Sequence, residues 1–363
     1  MIYLDYQATT PLAPEAREAM LAWLGGPDSM SFGNPHSAHR MGRSAAAAVE
    51  MAREQVAGLL PPNGRVIFTS GATEALNLAL RGTSGDVLTF TTEHAAVLDC
   101  ERVIEAQGRG FRALPVFADG LADAEVLGNW IDQGAGLVSA MLVNNEIGTI
   151  NPLVEIAAAA REQGTPLLCD AVQAYGRIAI PEGADLIAIS AHKIHGPKGI
   201  GALWVRNGIS LEPLLYGGGQ EQGLRSGTLS PALCAGFGAA AKRAAESMEE
   251  DAEHVEQLWC RARDVLSDWT LNGSDEHRWK GNLNLRFEGL DVSRLMSELR
   301  DIAFSAGSAC ASGSGRPSHV LRAIGLEDAE AKSSIRLGFG RYTTMDDIQT
   351  AARAIDVAAK AQG

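Results

Sequence analysis

The chain has 363 residues, more than a single hydrophobic core normally supports, so we expect one large and one smaller domain. Hydrophobic residues make up 46% and charged residues 21% of the sequence, ordinary values for a globular protein that exclude the disordered and collagen-like classes. The formal net charge of -13 disfavours nucleic acid and anionic membranes as partners, because both bind through clustered Lys and Arg.

Strand-like apolar runs alternate with helical stretches from about residue 65 to residue 205. This alternation predicts an α/β fold with a mostly parallel sheet covered by helices. Because ligands bind outside the carboxyl ends of parallel strands, the residues that follow these runs are the first candidates for a site. The candidate strands are Arg65–Thr69, Asp86–Thr91, Phe111–Val116, Gly136–Leu142, Pro166–Cys169, Leu186–Ile189 and Ala202–Val205, and the candidate helices are Thr73–Leu80, Ala95–Gln107 and Val154–Gln163.

A long, charged, amphipathic stretch over Ala239–Trp269 separates this region from shorter mixed elements. We therefore predict a large domain over residues 12–248 and a smaller α+β domain formed by residues 1–11 and 249–363. The elements predicted for the smaller domain are a strand over Asn282–Phe287, a helix over Ser293–Arg300 and a closing helix over Asp346–Ala359.

The cellular compartment is predicted from the chain start and from cysteine usage. The first residues lack a basic start followed by an apolar stretch, and nowhere do eighteen apolar residues run together. The five cysteines lie far apart without a CxxC pair, and the H-x-x-H pairs lack a third ligand at helical spacing. We expect a cytoplasmic protein with free thiols and without a metal site.

The segment Ser70-Gly71-Ala72-Thr73-Glu74 directly follows the first candidate strand and opens a helix. Free backbone N–H groups and the positive end of the helix dipole can bind a phosphate there, and Thr73 adds a hydroxyl. The alternative is an ordinary capped helix, since such starts are widespread. Because the sequence has no Walker A or G-x-G-x-x-G run, a nucleotide has little support.

His94 and Asn145 follow two further strands. His94 could stack on a planar ring or move protons near neutral pH, although a capping or core histidine is the alternative. Asn145 could bind a carboxylate or a cofactor hydroxyl through its amide, with a tight turn as the alternative.

Asp170 and Lys193 end two buried apolar runs. Desolvation of Lys193 at a strand end would favour its covalent attachment to an aldehyde, and Ser190 and His192 could bind a nearby phosphate. A carboxylate at Asp170 could keep a pyridine nitrogen protonated, and Gln173 could then bind the ring hydroxyl. Taken singly, Lys193 would be a solvated loop lysine and Asp170 a helix cap.

Cys310 lies in Ser305–Ser318, a stretch made mostly of Ser, Gly and Ala. Such a composition buries little side chain, so it predicts a cysteine able to reach both an inner pocket and an outside acceptor. Cys169 and Cys234 lie in apolar runs and are expected to be inert, which leaves Cys310 as the candidate nucleophile.

Motifs spread over nearly the whole chain indicate a family. With them the sequence resembles the cysteine desulfurases of the NifS/IscS type, which are fold-type I enzymes that use pyridoxal 5′-phosphate. The residues that carry the resemblance are Tyr3–Pro11, Phe32–Pro35, Ser70–Glu74, Thr92–His94, Asn144–Gly148, Ser190–Lys193, Arg225–Thr228, Ser308–Cys310 and Ser334–Arg336.

The resemblance implies the site. Lys193 would hold the cofactor, His94 would stack on its ring, and Asp170 would face the ring nitrogen. Gln173 would bind the ring hydroxyl, Asn145 would contact cofactor and substrate, and Thr228 would bind the phosphate of the partner subunit's cofactor. Asn34 and Arg336 would bind the substrate carboxylate. The residues implied to bind the phosphate within the same subunit are Gly71, Ala72, Thr73, Ser190 and His192.

It also implies the reaction. L-Cysteine would lose its sulfur to the Cys310 thiolate, leaving L-alanine and a persulfide that a homodimeric enzyme passes to an acceptor protein, such as an iron–sulfur scaffold, for cluster or other thio-cofactor assembly. His94 would be a proton carrier. The alternatives are selenocysteine lyase, another fold-type I reaction, and a non-catalytic platform that docks sulfur carriers.

Overall fold

The computed structural model describes residues 1–131, 134–307 and 317–362, and the elements below belong to those ranges. The strands are β1 (Ile2–Tyr3), β2 (Gly64–Thr69), β3 (Asp86–Phe90), β4 (Phe111–Leu114), β5 (Ala135–Met141), β6 (Leu167–Asp170), β7 (Leu186–Ser190), β8 (Gly201–Arg206), β9 (Thr270–Leu271), β10 (Asn282–Arg286), β11 (Ile302–Ala303), β12 (Ser305–Ala306) and β13 (Ser334–Gly338). The α-helices are α1 (Pro14–Leu21), α2 (Arg40–Ala57), α3 (Ala72–Gly82), α4 (Ala95–Leu98), α5 (Glu101–Ala106), α6 (Ala124–Ile131), α7 (Leu153–Glu162), α8 (Pro231–Val265), α9 (Val292–Glu298), α10 (His319–Ala323), α11 (Asp328–Lys332) and α12 (Met345–Lys360).

The large sheet has seven strands in the order β2-β8-β7-β6-β5-β3-β4. Strand β8 is antiparallel to both of its neighbours, whereas the pairs β7–β6, β6–β5, β5–β3 and β3–β4 are parallel. The predicted α/β fold, with a mostly parallel seven-stranded sheet, is confirmed.

Both faces of this sheet are covered, because its central strands carry apolar side chains on both faces along most of their length. In β7, Leu186 and Ala188 pack into one hydrophobic cluster, while Ile187 and Ile189 pack into the cluster on the opposite face. Successive side chains of a strand point to opposite faces, so an unbroken apolar run is what a strand with helices on both sides requires.

The loop between β2 and α3 lies directly against β8. A Cβ at Gly201 would come within 2.8 Å of the Gly71 Cα and within 2.6 Å of the Ile189 carbonyl oxygen, so a side chain at this position would push the loop away. This close approach keeps the N-terminus of α3 at the edge of the sheet where β7 ends.

One helix that was predicted to be continuous is interrupted in the structure. The expected helix over residues 95–107 is two helices, α4 and α5. Hydrogen bonds from Cys100 to Val97 and from Val103 to Cys100 join residues three apart, so the backbone tightens at the junction. Composition does not distinguish this tightening from a continuous helix.

The C-terminal region builds a second, antiparallel sheet in the order β12-β13-β10-β9. Strand β1 pairs in parallel with β11, which ties the first residues of the chain to this region. The division into residues 12–248 and the two flanking segments stays a prediction. Its proposed boundary lies inside α8, a continuous helix of 35 residues.

Candidate active site

A cavity of about 590 Å³ lies at the carboxyl ends of the parallel strands, within the size range of cofactor sites. Residues that follow different parallel strands meet here because those strands end at the same edge of the sheet. Eleven of the predicted site residues line the cavity: Gly71, Ala72, Thr73, His94, Asn145, Asp170, Gln173, Ser190, His192, Lys193 and Arg336.

Lys193 ends a 3₁₀ turn directly after β7. Its Nζ donates hydrogen bonds to the main-chain carbonyls of Gln7 and Ala8, the second at 2.9 Å. Burial, together with the charges of Arg177 and Arg336, lowers the pKa of Lys193 to about 7. A large fraction of this amine is therefore uncharged at neutral pH, the form that attacks an aldehyde.

Asp170 is the last residue of β6, and its side chain is buried in the cavity wall. Burial raises the pKa of this carboxyl, while a 3.0 Å hydrogen bond from the Val172 N–H and the nearby His94 and Lys193 oppose the rise. Asp170 therefore also accepts a hydrogen bond from the turn that follows it, which is the alternative role considered for this residue. This hydrogen bond holds the carboxylate in place.

Gln173 is anchored at both ends of its amide. Its Nε2 donates to the Gln7 carbonyl at 3.0 Å, and its Oε1 accepts a hydrogen bond from Arg177. The guanidinium of Arg177 also donates to the Lys193 carbonyl at 2.8 Å, so it braces two residues of the cavity wall from behind.

His94 caps α4 and lines the cavity at the same time. Its Nδ1 accepts a 3.0 Å hydrogen bond from the Ala96 N–H, so the neutral ring carries its proton on Nε2. Burial lowers the pKa of His94, which favours this neutral form. Both sequence interpretations of this residue, cap and site histidine, agree with its position.

One end of the cavity suits an anion. Ala72 and Thr73 present the N-terminus of α3, an eleven-residue helix, and Ser190 and Lys198 add a hydroxyl and a cation. Burial and the charges of Lys193 and Lys198 lower the pKa of His192 to about 4. His192 is therefore neutral at pH 7 and can act there as a hydrogen-bonding group.

Another part of the wall suits a carboxylate. Arg336, on β13, is 1% exposed, and its Nη atoms donate to the Asn145 carbonyl at 3.0 Å and to Asp5 Oδ1 at 2.8 Å. Its buried Nε has no hydrogen-bond partner among the described residues. A buried guanidinium with a free donor is a site at which a bound carboxylate would relieve an unmet hydrogen bond.

Three predicted residues lie elsewhere. Asn34 is exposed and accepts a 2.9 Å hydrogen bond from the His36 N–H, which makes it a turn residue in the isolated chain. Thr228 is exposed and does not line the cavity, an arrangement compatible with its predicted action on a partner subunit. Cys310 lies outside the described residues. Cys169 and Cys234 are fully buried, as expected of inert thiols.

Sequence reasoning missed the cavity wall formed by the N-terminal segment. Gln7, Ala8 and Thr9 line the cavity, and Thr9 Oγ1 lies 3.1 Å from His192 Nδ1. These residues belong to a motif that carries the family resemblance, but local pattern gives no sign that they contact residues 185 positions away.

The described residues were also compared with the expectations about metal ions and membrane-spanning helices. Within residues 1–131, 134–307 and 317–362, no cluster of three His, Cys, Asp or Glu side chains is arranged to hold a metal ion. In this described part of the chain, no helix has both the length and the apolar character needed to cross a bilayer.

The sequence profile described as "Aminotransferase class-V" matches residues 2–350. The chain belongs to the class-V aminotransferase family. A curated relative, "Cysteine desulfurase IscS" of Rickettsia bellii, is 45% identical over an alignment that covers 98% of this chain and 90% of the relative. These matches confirm the resemblance to cysteine desulfurases, and enzymes of this kind use pyridoxal 5′-phosphate.

Solved structures of the family agree with the fold. A "NifS-like protein" superimposes with a TM-score of 0.90 at 31% identity, covering 99% of each chain. A second structure, "SspA in complex with cysteine", has a TM-score of 0.83 at 35% identity and covers 95% of this chain and 100% of the other. The expected fold-type I architecture is confirmed.

The cavity fits pyridoxal 5′-phosphate by the chemistry of its wall. The partly buried Lys193 amine can hold an aldehyde, and the buried Asp170 carboxylate can face a protonated ring nitrogen. The N-terminus of α3 with Lys198 can receive a phosphate. These three groups are the ones that such a cofactor needs.

Proposed function

We propose that the chain is a cysteine desulfurase that takes sulfur from L-cysteine, releases L-alanine and carries the sulfur away as a persulfide on Cys310. The observation that carries the proposal is the convergence, in one cavity, of an amine whose pKa is about 7, a buried carboxylate and a helix N-terminus. Relatives named cysteine desulfurase, and a related structure titled as a cysteine complex, support the choice of substrate.

When bound, pyridoxal 5′-phosphate supplies an aldehyde and an electron-withdrawing ring that stabilises negative charge at the substrate α-carbon. Lys193 would hold the aldehyde, and Asp170 would keep the ring nitrogen protonated. The ring would lie against His94, with its hydroxyl near Gln173 and Asn145. The phosphate would be held by Gly71, Ala72, Thr73, Ser190 and His192.

Lys193 then acts on the substrate proton. Cysteine would take the place of this amine on the aldehyde. A large fraction of the free amine is uncharged at neutral pH and can accept the α-proton at Nζ. The carbonyls of Gln7 and Ala8 hold Nζ at the cavity wall. This limits the movement of Nζ between its two roles, holding the aldehyde and accepting the α-proton. His94, with its proton on Nε2, can deliver a proton to the product carbon.

Arg336 would orient the substrate, because its Nε, which has no partner in the described part of the chain, can donate to the cysteine carboxylate. The Cys310 thiolate then attacks the substrate sulfur. A sulfur–sulfur bond forms, the carbon–sulfur bond breaks, and its electron pair remains on carbon, where protonation gives alanine. Cysteine and one enzyme thiol thus become alanine and one enzyme persulfide.

The roles of Thr228 and Asn34 require a second subunit, and the transfer of the persulfide sulfur requires an acceptor protein. A homodimer would bring Thr228 of one subunit to the phosphate of the other, and Asn34 would reach the substrate in that assembly. The persulfide would pass to an acceptor protein such as an iron–sulfur scaffold, in the cytoplasm. The smaller domain, residues 1–11 and 249–363, would carry Cys310.

The test feeds ³⁵S-labelled cysteine to the purified, cofactor-loaded protein without reductant. We expect alanine and protein-bound label in equal amounts, with a mass gain of one sulfur on the peptide that contains Cys310. Cys310→Ser should keep the cofactor and its spectral response to cysteine but release no alanine. Unchanged turnover in that variant would refute the persulfide mechanism. Cys260→Ser is the matched thiol control and should bind label at the wild-type level.

A further inference from the structure

Glu93 stands directly before the cavity residue His94 and is completely buried. Its Oε1 accepts a 2.6 Å hydrogen bond from the N–H of Met141, the last residue of β5. Its Oε2 is also buried and has no hydrogen-bond partner in the described part of the chain. The proposed chemistry gives this carboxyl no role.

The acidic neighbour of this carboxyl is Asp170. Asp170 lies opposite Met141 in the parallel pairing of β5 with β6, and the Leu142 N–H donates a 2.9 Å hydrogen bond to the Asp170 carbonyl. Met141 therefore connects Glu93 on one side with Asp170 on the other. Two buried carboxyls thus lie near each other, and of the two only Asp170 lines the cavity.

The surroundings of Glu93 favour its protonated, neutral form. Burial raises the pKa of Glu93 well above its usual range, and the negative charge of Asp170 raises it further, while the bond from Met141 opposes the rise. A carboxylate without a cation is costly to bury, so such a group takes up a proton instead. The neighbouring Cys169 and His94 are neutral as well, because burial raises the pKa of the thiol and lowers that of the imidazole.

A comparison with Glu221 shows what a counter-charge changes. Like Glu93, Glu221 is buried and accepts a hydrogen bond from a strand of the large sheet, here at 2.7 Å from the Phe68 N–H. Unlike Glu93, it also pairs at 2.7 Å with Arg53, which stabilises a carboxylate. His319 approaches Glu93 from α10, but its Nε2 lies 2.9 Å from the main-chain carbonyl. Within the described residues, the Glu93 carboxyl thus has no partner equivalent to Arg53.

We propose that Glu93 is a positioning residue that stays protonated beside Asp170, so that the two carboxyls carry one negative charge and Asp170 holds it toward the cofactor ring. The inference rests on the proposed role of Asp170 in keeping the ring nitrogen protonated. Two neighbouring carboxyls are costly to ionise together, and the one with the better partners keeps the charge. The Val172 N–H and the Lys193 amine stabilise charge on Asp170, whereas the described partner of the Glu93 carboxyl is the Met141 N–H.

A neutral acid at position 93 serves the site in two ways. A second carboxylate there would favour protonation of Asp170, and a protonated Asp170 cannot stabilise a positive ring nitrogen. The acid also keeps the hydrogen bond that fixes the end of β5, next to Asp170. Loss of this acceptor would leave the Met141 N–H unpaired and move the Asp170 carboxylate relative to the ring, and small misplacements of reacting groups slow a reaction strongly.

The first experiment measures whether Glu93 carries a proton in the cofactor-loaded enzyme. The infrared difference spectrum between wild type and Glu93→Gln should show the C=O stretch of a protonated carboxyl in the wild type, from about pH 6 to about pH 8, and none in the variant. Glu221→Gln is the matched control and should remove no such band, because Arg53 stabilises the carboxylate form of Glu221. A wild type whose spectrum lacks the band lost in Glu93→Gln would overturn the inference.

The second experiment separates the hydrogen bond of Glu93 from its charge. Glu93→Gln keeps an acceptor for the Met141 N–H, and in a single turnover it should form alanine at a rate within about threefold of wild type. Glu93→Leu leaves that N–H unpaired and should slow alanine formation by about tenfold or more, with a changed cofactor absorbance. Equal slowing in both variants would show that an ionised Glu93 is required and would overturn the inference.

The infrared test needs cofactor binding but no turnover, so it decides the charge of Glu93 even if Glu93→Leu does not fold. A wild-type enzyme that shows the band but forms no alanine from cysteine would refute the proposed function and leave the neutral Glu93 established. A wild-type enzyme that forms alanine without the band would refute the inference and leave the proposed function intact.

Discussion

The guanidinium of Arg177 donates a 2.8 Å hydrogen bond to the main-chain carbonyl of Lys193. Arg177 is partly buried, and the described groups that accept its hydrogen bonds are neutral groups of Gln173 and Lys193. A positive charge held behind an amine opposes protonation of that amine. Arg177 thus connects the packing of the cavity wall to the chemistry of Lys193.

We predict that Arg177→Met raises the pKa of Lys193 by about one pH unit, because the nearby positive charge is lost while burial remains. Only the neutral amine captures an aldehyde, so cofactor capture by the cofactor-free protein should rise with pH through the pKa, near 7 in the wild type. The measurement is the rate of the absorbance change on mixing, as a function of pH. Arg177→Lys keeps the charge and should keep the midpoint. An unchanged midpoint in Arg177→Met would contradict this assignment.

Lys193→Ala should lose the covalent bond to the cofactor. Borohydride reduction followed by mass spectrometry should find the cofactor attached to the Lys193 peptide in the wild type and no attachment in the variant. Lys198→Ala is the matched control, since Lys198 lines the same cavity and should leave the attachment in place. Cofactor bound to another lysine after reduction of Lys193→Ala would show that the attachment residue is misassigned.

Arg336→Lys should weaken cysteine binding by about tenfold, because an ammonium cannot replace the planar fork that pairs with a carboxylate. The apparent Kd is measured by spectral titration in a Cys310→Ser background, where turnover is stopped. Cysteamine, which lacks the carboxylate, should bind wild type and variant equally. An equal loss for cysteine and cysteamine would place Arg336 outside carboxylate recognition.

Glu221 should be important for stability. Its side chain is 3% exposed, pairs with Arg53 at 2.7 Å and accepts a 2.7 Å hydrogen bond from the Phe68 N–H of β2. Glu221→Ala removes the buried partner of Arg53, whose other acidic partner, Glu50, is exposed, and it leaves the Phe68 N–H without its acceptor. The free energy of unfolding should therefore fall by about 3 kcal/mol. Glu221→Gln keeps an acceptor for Phe68 and should lose less. Urea unfolding followed by circular dichroism measures both, and equal stability of wild type and Glu221→Ala would refute the prediction.

The sheet and most of its site were predictable for one physical reason. Strands buried on both faces, such as the part of β7 over residues 186–189, are unbroken apolar runs, and a polar group that follows one must lie at the carboxyl edge. This is why Asp170 and Lys193, from different strands, were expected together and line one cavity. Their chemical roles remain predictions.

The rest depends on contacts that local pattern does not record. Gln7 and Ala8 close the cavity through main-chain carbonyls, which no residue type specifies. Arg177 donates to the carbonyl of Lys193, 16 residues further along the chain, and no sequence motif marks this contact. Glu146 was noted within a motif, but its bond to Ser318, 172 residues away, depends on the tertiary fold.

The pairing of β1 with β11 has a consequence for the order in which the protein is made. Residues Ile2 and Tyr3 find their partners at Ile302 and Ala303, about three hundred residues later. Because domains form from the N-terminus during synthesis, the first residues must wait for most of the chain to leave the ribosome. The floor of the pocket can form early, but its Gln7–Thr9 wall cannot. We therefore expect cofactor capture to be completed only after residues 302 and 303 have been synthesised.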